Sequence, residues 1–319
     1  MSDTIQFAIS MGNDEDGFFG RECPQEDCLG YFKIELGTGL EGDDLPCHCP
    51  YCGHVDPHDQ FWTQDQLEYA KSLAMRKVQD YVFDEIKRAF PSQVGRSSDL
   101  FSLTFDVKPG SPLPLHHYQE AQLQTTLVCD ACGLRYAVYG VFAYCPDCGS
   151  HNSLQILESN LDLAVKELEL ASGLDAPLGE RLVADALQNV VGAFDAFGRE
   201  LLRVNASNAR SSRSVGAVSC QNLENLRKKV QDYFAFDIAE PFNSEEWDSL
   251  VVLFQKRHLI AHKMGVIDGS YVAATRDPHA IVGRKVEIST EEVSTAVPRV
   301  RTLGRHLQAT LAVSRKRTD

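Results

Sequence analysis

Residues 127–150 read LVCDACGLRYAVYGVFAYCPDCGS. Two C-x2-C pairs stand here, Cys129 with Cys132 and Cys145 with Cys148, separated by twelve residues and each followed by glycine. Four thiolates at this spacing make a tetrahedral zinc set. Each short loop turns two sulfurs toward one metal, and the glycine takes the positive φ of the tight turn behind them. The intervening RYAVYGVFAY has the β-branched and aromatic content of a short hairpin. The stretch predicts a zinc ribbon.

A second group lies upstream. Cys23 and Cys28 form C-x4-C, and Cys47, Cys49 and Cys52 follow in LPCHCPYCGH. The CPYCG knuckle assigns Cys49 and Cys52, with Cys23 and Cys28, to a second zinc ribbon with YFKIEL as a strand between them. Cys47 is an alternative to Cys49, and His48, His54 and His58 are close enough in sequence to substitute. The simpler reading keeps these four as surface residues beside a metal loop. Closed four-cysteine sites are structural: they staple small modules that cannot bury enough core.

Nine of the ten cysteines precede residue 150, and so does the negative charge. Residues 1–150 hold 10 basic and 23 acidic residues, whereas 151–319 hold 21 and 22. Such an acidic first half argues against nonspecific phosphate binding there and favours a protein or ligand partner for the ribbons. Basic residues cluster instead at 203–229 and 299–317. No run approaches the ~18 apolar residues of a membrane helix, and no secretory signal is read at the amino terminus. With paired thiols of a reducing compartment, the expected location is cytoplasmic.

Between the ribbons, Leu67, Ala70, Leu73, Ala74, Val78, Tyr81, Val82, Ile86 and Phe90 recur at the helical period, predicting a helix over 62–90 ended by Pro91. A strand is expected over 100–107 and a proline-rich loop over 108–120, where His116 and His117 are read as solvated. Beyond residue 154 the pattern turns helical, over 161–170, 178–204, 223–236, 245–263 and 291–312, with Ser244 a candidate N-cap. The stretch VGRKVEIST (282–290) is expected to be a short strand or extended. The fold class is α+β multidomain: a first ribbon (1–60), a linking helix and proline-rich segment (61–125), a second ribbon (126–152) and an all-α up-and-down bundle (153–319).

The residues that carry chemistry end the fourth of these helices, in FQKRHLIAHKMGVIDGSYV (254–272). Arg257, His258 and His262 fall within six residues, and His258 continues the apolar stripe through Val251 and Phe254. An unpaired buried arginine is costly, so this arrangement calls for an anion.

Arg257, polar His258, three residues and His262, then Gly265 and the segment from Asp268 to Tyr271, resemble the Arg-polar-x3-His motif of a HEPN domain. The resemblance covers about residues 155–315. It implies an all-helical bundle, a metal-independent ribonuclease, action as a homodimer with two motifs facing one cleft, and a setting such as prokaryotic defence, toxin or RNA-processing systems. RNA is the implied substrate. His262 is assigned as acid/base, because imidazole titrates near neutral pH. Arg257 is assigned to stabilise the phosphorane, because a guanidinium binds two phosphate oxygens, with His258 as a helper. Asp195 is an orienting carboxylate or, equally, a solvated acid paired with Arg199. Two other classes stay open. A His258/His262 metal hydrolase lacks an adjacent glutamate and a third ligand, and a non-catalytic scaffold or sensor would use ribbons and bundle for binding alone.

Overall fold

Two short aromatic-rich segments form the antiparallel strands β1 (Phe18–Glu22) and β2 (Tyr31–Glu35), joined by the loop that carries Cys23 and Cys28. In this computed structural model the described residues are 9–42, 44–89, 111–116, 120–123, 125–210, 215–275 and 277–315. The chain divides into two units, Met1–Ser150 and His151–Asp319.

In the first unit, β3 (Pro46–His48) and β4 (Val55–Pro57) form a two-stranded sheet around the Cys49–Cys52 knuckle. Helix α1 (Gln64–Ala89) follows, then β5 (Thr125–Val128) and β6 (Arg135–Val138). The larger sheet has the order β1-β2-β6-β5, antiparallel throughout. Its central strands bury Phe32, Ile34, Tyr136 and Val138. The two cysteine groups therefore share one sheet. They are also cross-linked by backbone: His48 N–H donates to the Pro146 carbonyl (2.7 Å) and Tyr144 N–H to that of Pro50 (2.9 Å).

Several sequence expectations shift here. The stretch 135–144 does not fold back on itself. Gly140 takes φ +87° just after β6, so the hydrogen bonds of β6 go to β5 and β2 while Tyr144 bonds the other knuckle. Helix α1 covers the expected range, but Leu67, Val78, Tyr81, Val82 and Ile86 remain exposed. Phe90, the strand expected over 100–107 and His117 lie outside the described residues. His116 is held by Ser72, whose Oγ accepts its backbone N–H at 3.2 Å, and its ring lies 3.6 Å from Asp65 and 3.7 Å from Glu68.

The second unit is helical: α2 (Ser153–Ser172), α3 (Ala176–Val204), α4 (Leu223–Phe234), α5 (Ser244–Lys263), a short α6 (Gly269–Thr275) and α7 (Thr290–Arg315). Helix α2 packs on α3 and α7, and α3 on α5 and α7. The stripes meet in one core, with Leu157 and Leu161 from α2, Val190, Phe194 and Phe197 from α3, Phe254 from α5 and Leu303 from α7 all buried. No helix among the described residues is long and apolar enough to cross a membrane.

Asn243, not Ser244, caps α5. Its side chain accepts from Glu246 N–H (2.9 Å) and Glu246 accepts in return from Asn243 N–H (3.1 Å), because the residue before Ser244 has the extended backbone a capping box needs. The segment 282–290 contributes a single bridge, Lys285 to Val266, rather than a strand. Helix α6 has too few residues to show a period in sequence.

At the start of this unit, Glu200 on α3 is nearly enclosed between Arg203 (2.6 Å) and His151 (3.2 Å). Burial alone would raise its carboxyl, but the hydrogen bonds and charges of Arg203 and His151 hold it at about 2. The stabilisation is complete above the ordinary carboxylate range and is lost as pH falls through about 2. Glu200→Gln should therefore cost roughly 1–3 kcal/mol at neutral pH. The gap should close on acidification, as read from urea midpoints at pH 7, 4 and 2.5.

Candidate functional site

The eight knuckle cysteines gather in two groups, Cys23, Cys28, Cys49 and Cys52, and Cys129, Cys132, Cys145 and Cys148, with the sulfurs of each within 4.8 Å of one another. The closest Sγ–Sγ pairs are Cys23–Cys52 and Cys28–Cys49 at 3.7 Å, Cys129–Cys148 at 3.6 Å and Cys132–Cys145 at 3.5 Å. A tetrahedron of thiolates with ~2.3 Å metal–sulfur bonds has edges of about 3.8 Å, so both donor sets fit a metal without rearrangement. Gly53, Gly133 and Gly149 take positive φ behind their knuckles, as the turns require. Both groups are consistent with structural metal sites: four sulfurs each, with no position left for a substrate.

Cys47 is not among the ligands, nor is it a surface residue. It is fully buried beside Arg21, and burial pushes its thiol up to about 12. His48 faces the Pro146 carbonyl (3.2 Å) and His54 bonds Asp56 (2.9 Å), so neither ring belongs to the cluster. His58 is half-buried and also outside it.

In the helical unit, the last turns of α5 face the start of α4. A shallow cleft of about 300 Å³ is lined by Ser219, Gln221, Asn222, Gln255, His258 and His262. His258 and His262 lie one turn apart with ring centroids separated by 4.8 Å. Both are exposed. The expected continuation of the packing stripe to His258 does not occur, because the stripe passes through Leu250, Phe254 and Leu259 and leaves His258 at its edge. Partial burial of the ring, then the positive neighbours His262 and Arg257, hold His258 below its ordinary value; Asp268 opposes them. His258 is thus neutral at neutral pH and able to accept a proton.

Arg257 is half-buried beside this cleft rather than on its wall. Its Nη1 donates to Gln221 Oε1 at 2.8 Å, its Nε is buried without a hydrogen-bond partner, and it forms no ion pair among the described residues. Its neighbour Lys256 is different in kind: buried and paired with Glu292 at 2.5 Å, it is a structural cation. Asp195 on α3 is buried rather than solvated. It accepts from Cys220 N–H (2.7 Å), Gln221 Nε2 (2.9 Å) and Arg199 Nε (3.1 Å). It is paired with Arg199 one turn on and, through Gln221, connected to Arg257.

Asn222 on the cleft wall is also the N-cap of α4, its side chain accepting from Asn225 N–H at 3.0 Å. The positive end of the α4 dipole therefore opens at the cleft, where an anion is favoured. No family model, no curated protein and no solved structure matches the chain.

Sequence reasoning did not single out Ser219, Gln221, Asn222 or Gln255. The polar run SCQN ahead of the amphipathic Leu223–Phe234 marks a helix start. Nothing local says that it faces α5. Among the described residues no third cysteine, histidine or carboxylate gathers with His258 and His262 as a metal set would need.

Proposed function

We propose that this chain is a metal-independent endoribonuclease of the HEPN type that cleaves RNA through attack by the RNA's own 2′-hydroxyl. The observation that carries the reading is Arg257: a half-buried guanidinium with no counter-ion among the described residues, held beside a cleft that presents two histidines and a helix N-terminus. Each part matches one demand of the reaction. A neutral imidazole removes the 2′ proton, the oxygen attacks phosphorus, and the 5′ oxygen departs with a proton from an imidazolium. Arg257 and the α4 dipole oppose the charge that grows on the phosphorane. His262 is the acid/base, with the neutral His258 beside it relaying or accepting the proton. In a homodimer through the helical unit, one subunit's His262 serves as base and the other's as acid.

The two four-cysteine groups hold zinc, the metal that four thiolates in a tetrahedral, redox-inert site suit best. They act as scaffold for a unit whose acidic surface recognises a protein or ligand partner. The described cysteines carry no disulfide, which suits a cytoplasmic protein of defence, toxin or RNA-processing type.

Single-stranded RNA incubated with the protein in EDTA tests this. Cleavage should continue, leaving a 2′,3′-cyclic phosphate on one fragment and a 5′-hydroxyl on the other, and RNA with 2′-deoxy at the cut site should resist. Activity that stops in chelator would point to the His258/His262 metal hydrolase. RNA left intact under every condition would leave the non-catalytic scaffold.

A further inference from the structure

Gln221 stands between Arg257 and Asp195, taking a hydrogen bond from Arg257 Nη1 (2.8 Å) and giving one to Asp195 Oδ2 (2.9 Å). The orientation of the amide is forced, since a guanidinium only donates and an ionised carboxylate only accepts. Asp195 is itself met by Arg199 (3.1 Å) and by Cys220 N–H (2.7 Å), so its charge is already partnered. What passes through Gln221 to Arg257 is direction, not charge.

We infer that Gln221 is a positioning residue: it holds Arg257 at the edge of the cleft while leaving the positive charge free for an anionic ligand. On the nuclease reading, on which this part rests, that ligand is the RNA phosphodiester. A carboxylate bonded directly to Arg257 would neutralise it and compete with phosphate. An apolar residue would release a long side chain to its many rotamers. The amide does neither: it takes one hydrogen bond from Nη1, and the buried Nε keeps no partner among the described residues.

The placement of Gln221 is built into the packing. A Cβ at Gly198 on α3 would lie 2.5 Å from Cys220 Sγ, so a side chain there would push the buried Cys220 away from α3. The buried Cys220 then fixes its neighbour Gln221 over Asp195. Gln221 also lines the cleft, so Arg257 is aimed from the cleft wall itself.

A double-mutant cycle on the full chain tests this, using as probe an all-2′-deoxy single-stranded oligonucleotide, which lacks the attacking hydroxyl. Arg257→Ala should weaken binding of the probe about tenfold or more, and Gln221→Met about tenfold, the worth of a hydrogen bond to a charged group. The double variant should bind no more weakly than Arg257→Ala alone, because Gln221 acts through Arg257. The slope of log affinity against log salt should fall by about 0.7 in Arg257→Ala, one phosphate contact, and no further in the double. Gln221→Asn, too short to span both partners, should behave as Gln221→Met and guards against a folding defect in either. Probe affinity in Gln221→Met equal to the parent's, or losses that multiply in the double variant, would overturn the positioning role. A parent that binds the probe but never cuts RNA would overturn the nuclease reading and leave Gln221 judged by the cycle. A parent that does not bind the probe overturns the positioning role, and the nuclease reading is then judged by RNA cleavage alone.

Discussion

His262→Ala and Arg257→Ala should each abolish detectable RNA cleavage while leaving the protein folded and its metal content unchanged. Losing an acid/base costs about 10²–10⁴ in rate, and losing a charge stabiliser about 10²–10³. The stability side is set by surroundings. His262 is exposed, and its ring contact is with His258, so its removal should change the unfolding free energy by no more than about 0.5 kcal/mol. Arg257 gives up one hydrogen bond to Gln221 and no ion pair among the described residues, a loss of about 1 kcal/mol. A core role would read otherwise: several kcal/mol lost from either variant, with activity falling only as the protein unfolds. Cleavage rates and urea midpoints measured on the same preparations separate the two. Full activity in either variant would remove that residue from the reaction.

Cys129→Ser should lower bound metal from about two ions per chain to about one and unfold the sheet around β5 and β6. Structural zinc contributes on the order of 10 kcal/mol to small metal modules, far more than the few buried residues beside each cluster supply. Because β6 pairs with β2 and the knuckle loops bond each other, the damage should reach the other cluster. Cys23→Ser should produce the reciprocal effect. Elemental analysis beside thermal melts reads both. A Cys129→Ser protein with two metals and the parent's melting curve would show that these sulfurs are not ligands. Two separable melting transitions would show that the shared sheet does not couple the sites.

Much of this was legible locally. Metal knuckles are set by short covalent spacing, so C-x2-C with its glycine could be read from a few residues, and the two groups assemble from the cysteines the spacing names. Long helices repeat their apolar residues many times, so α3, α5 and α7 lie where the period puts them, within the usual few residues at their ends. The shortest features were not legible. The cap moved from Ser244 to Asn243, which a single residue decides, and α6 was missed because seven residues make only about two turns and show no repeat.

What the sequence by itself determined is therefore the set of groups available: eight thiolates in two clusters, a run of amphipathic helices, and Arg257, His258 and His262 within six residues of one helix. Only the tertiary structure decided what surrounds them. RYAVYGVFAY became one strand shared with β2, since sheet pairing is chosen by whichever edge is free and not by the turn alone. His258 left the core and entered a cleft, because the neighbouring helices bury Leu250, Phe254 and Leu259 and stop short of it. Asp195 met Gln221 across 26 positions of chain, through a close approach that Gly198 permits. Contacts of that separation depend on how helices pack, and helix packing is a property of whole faces, which no short stretch of residues contains.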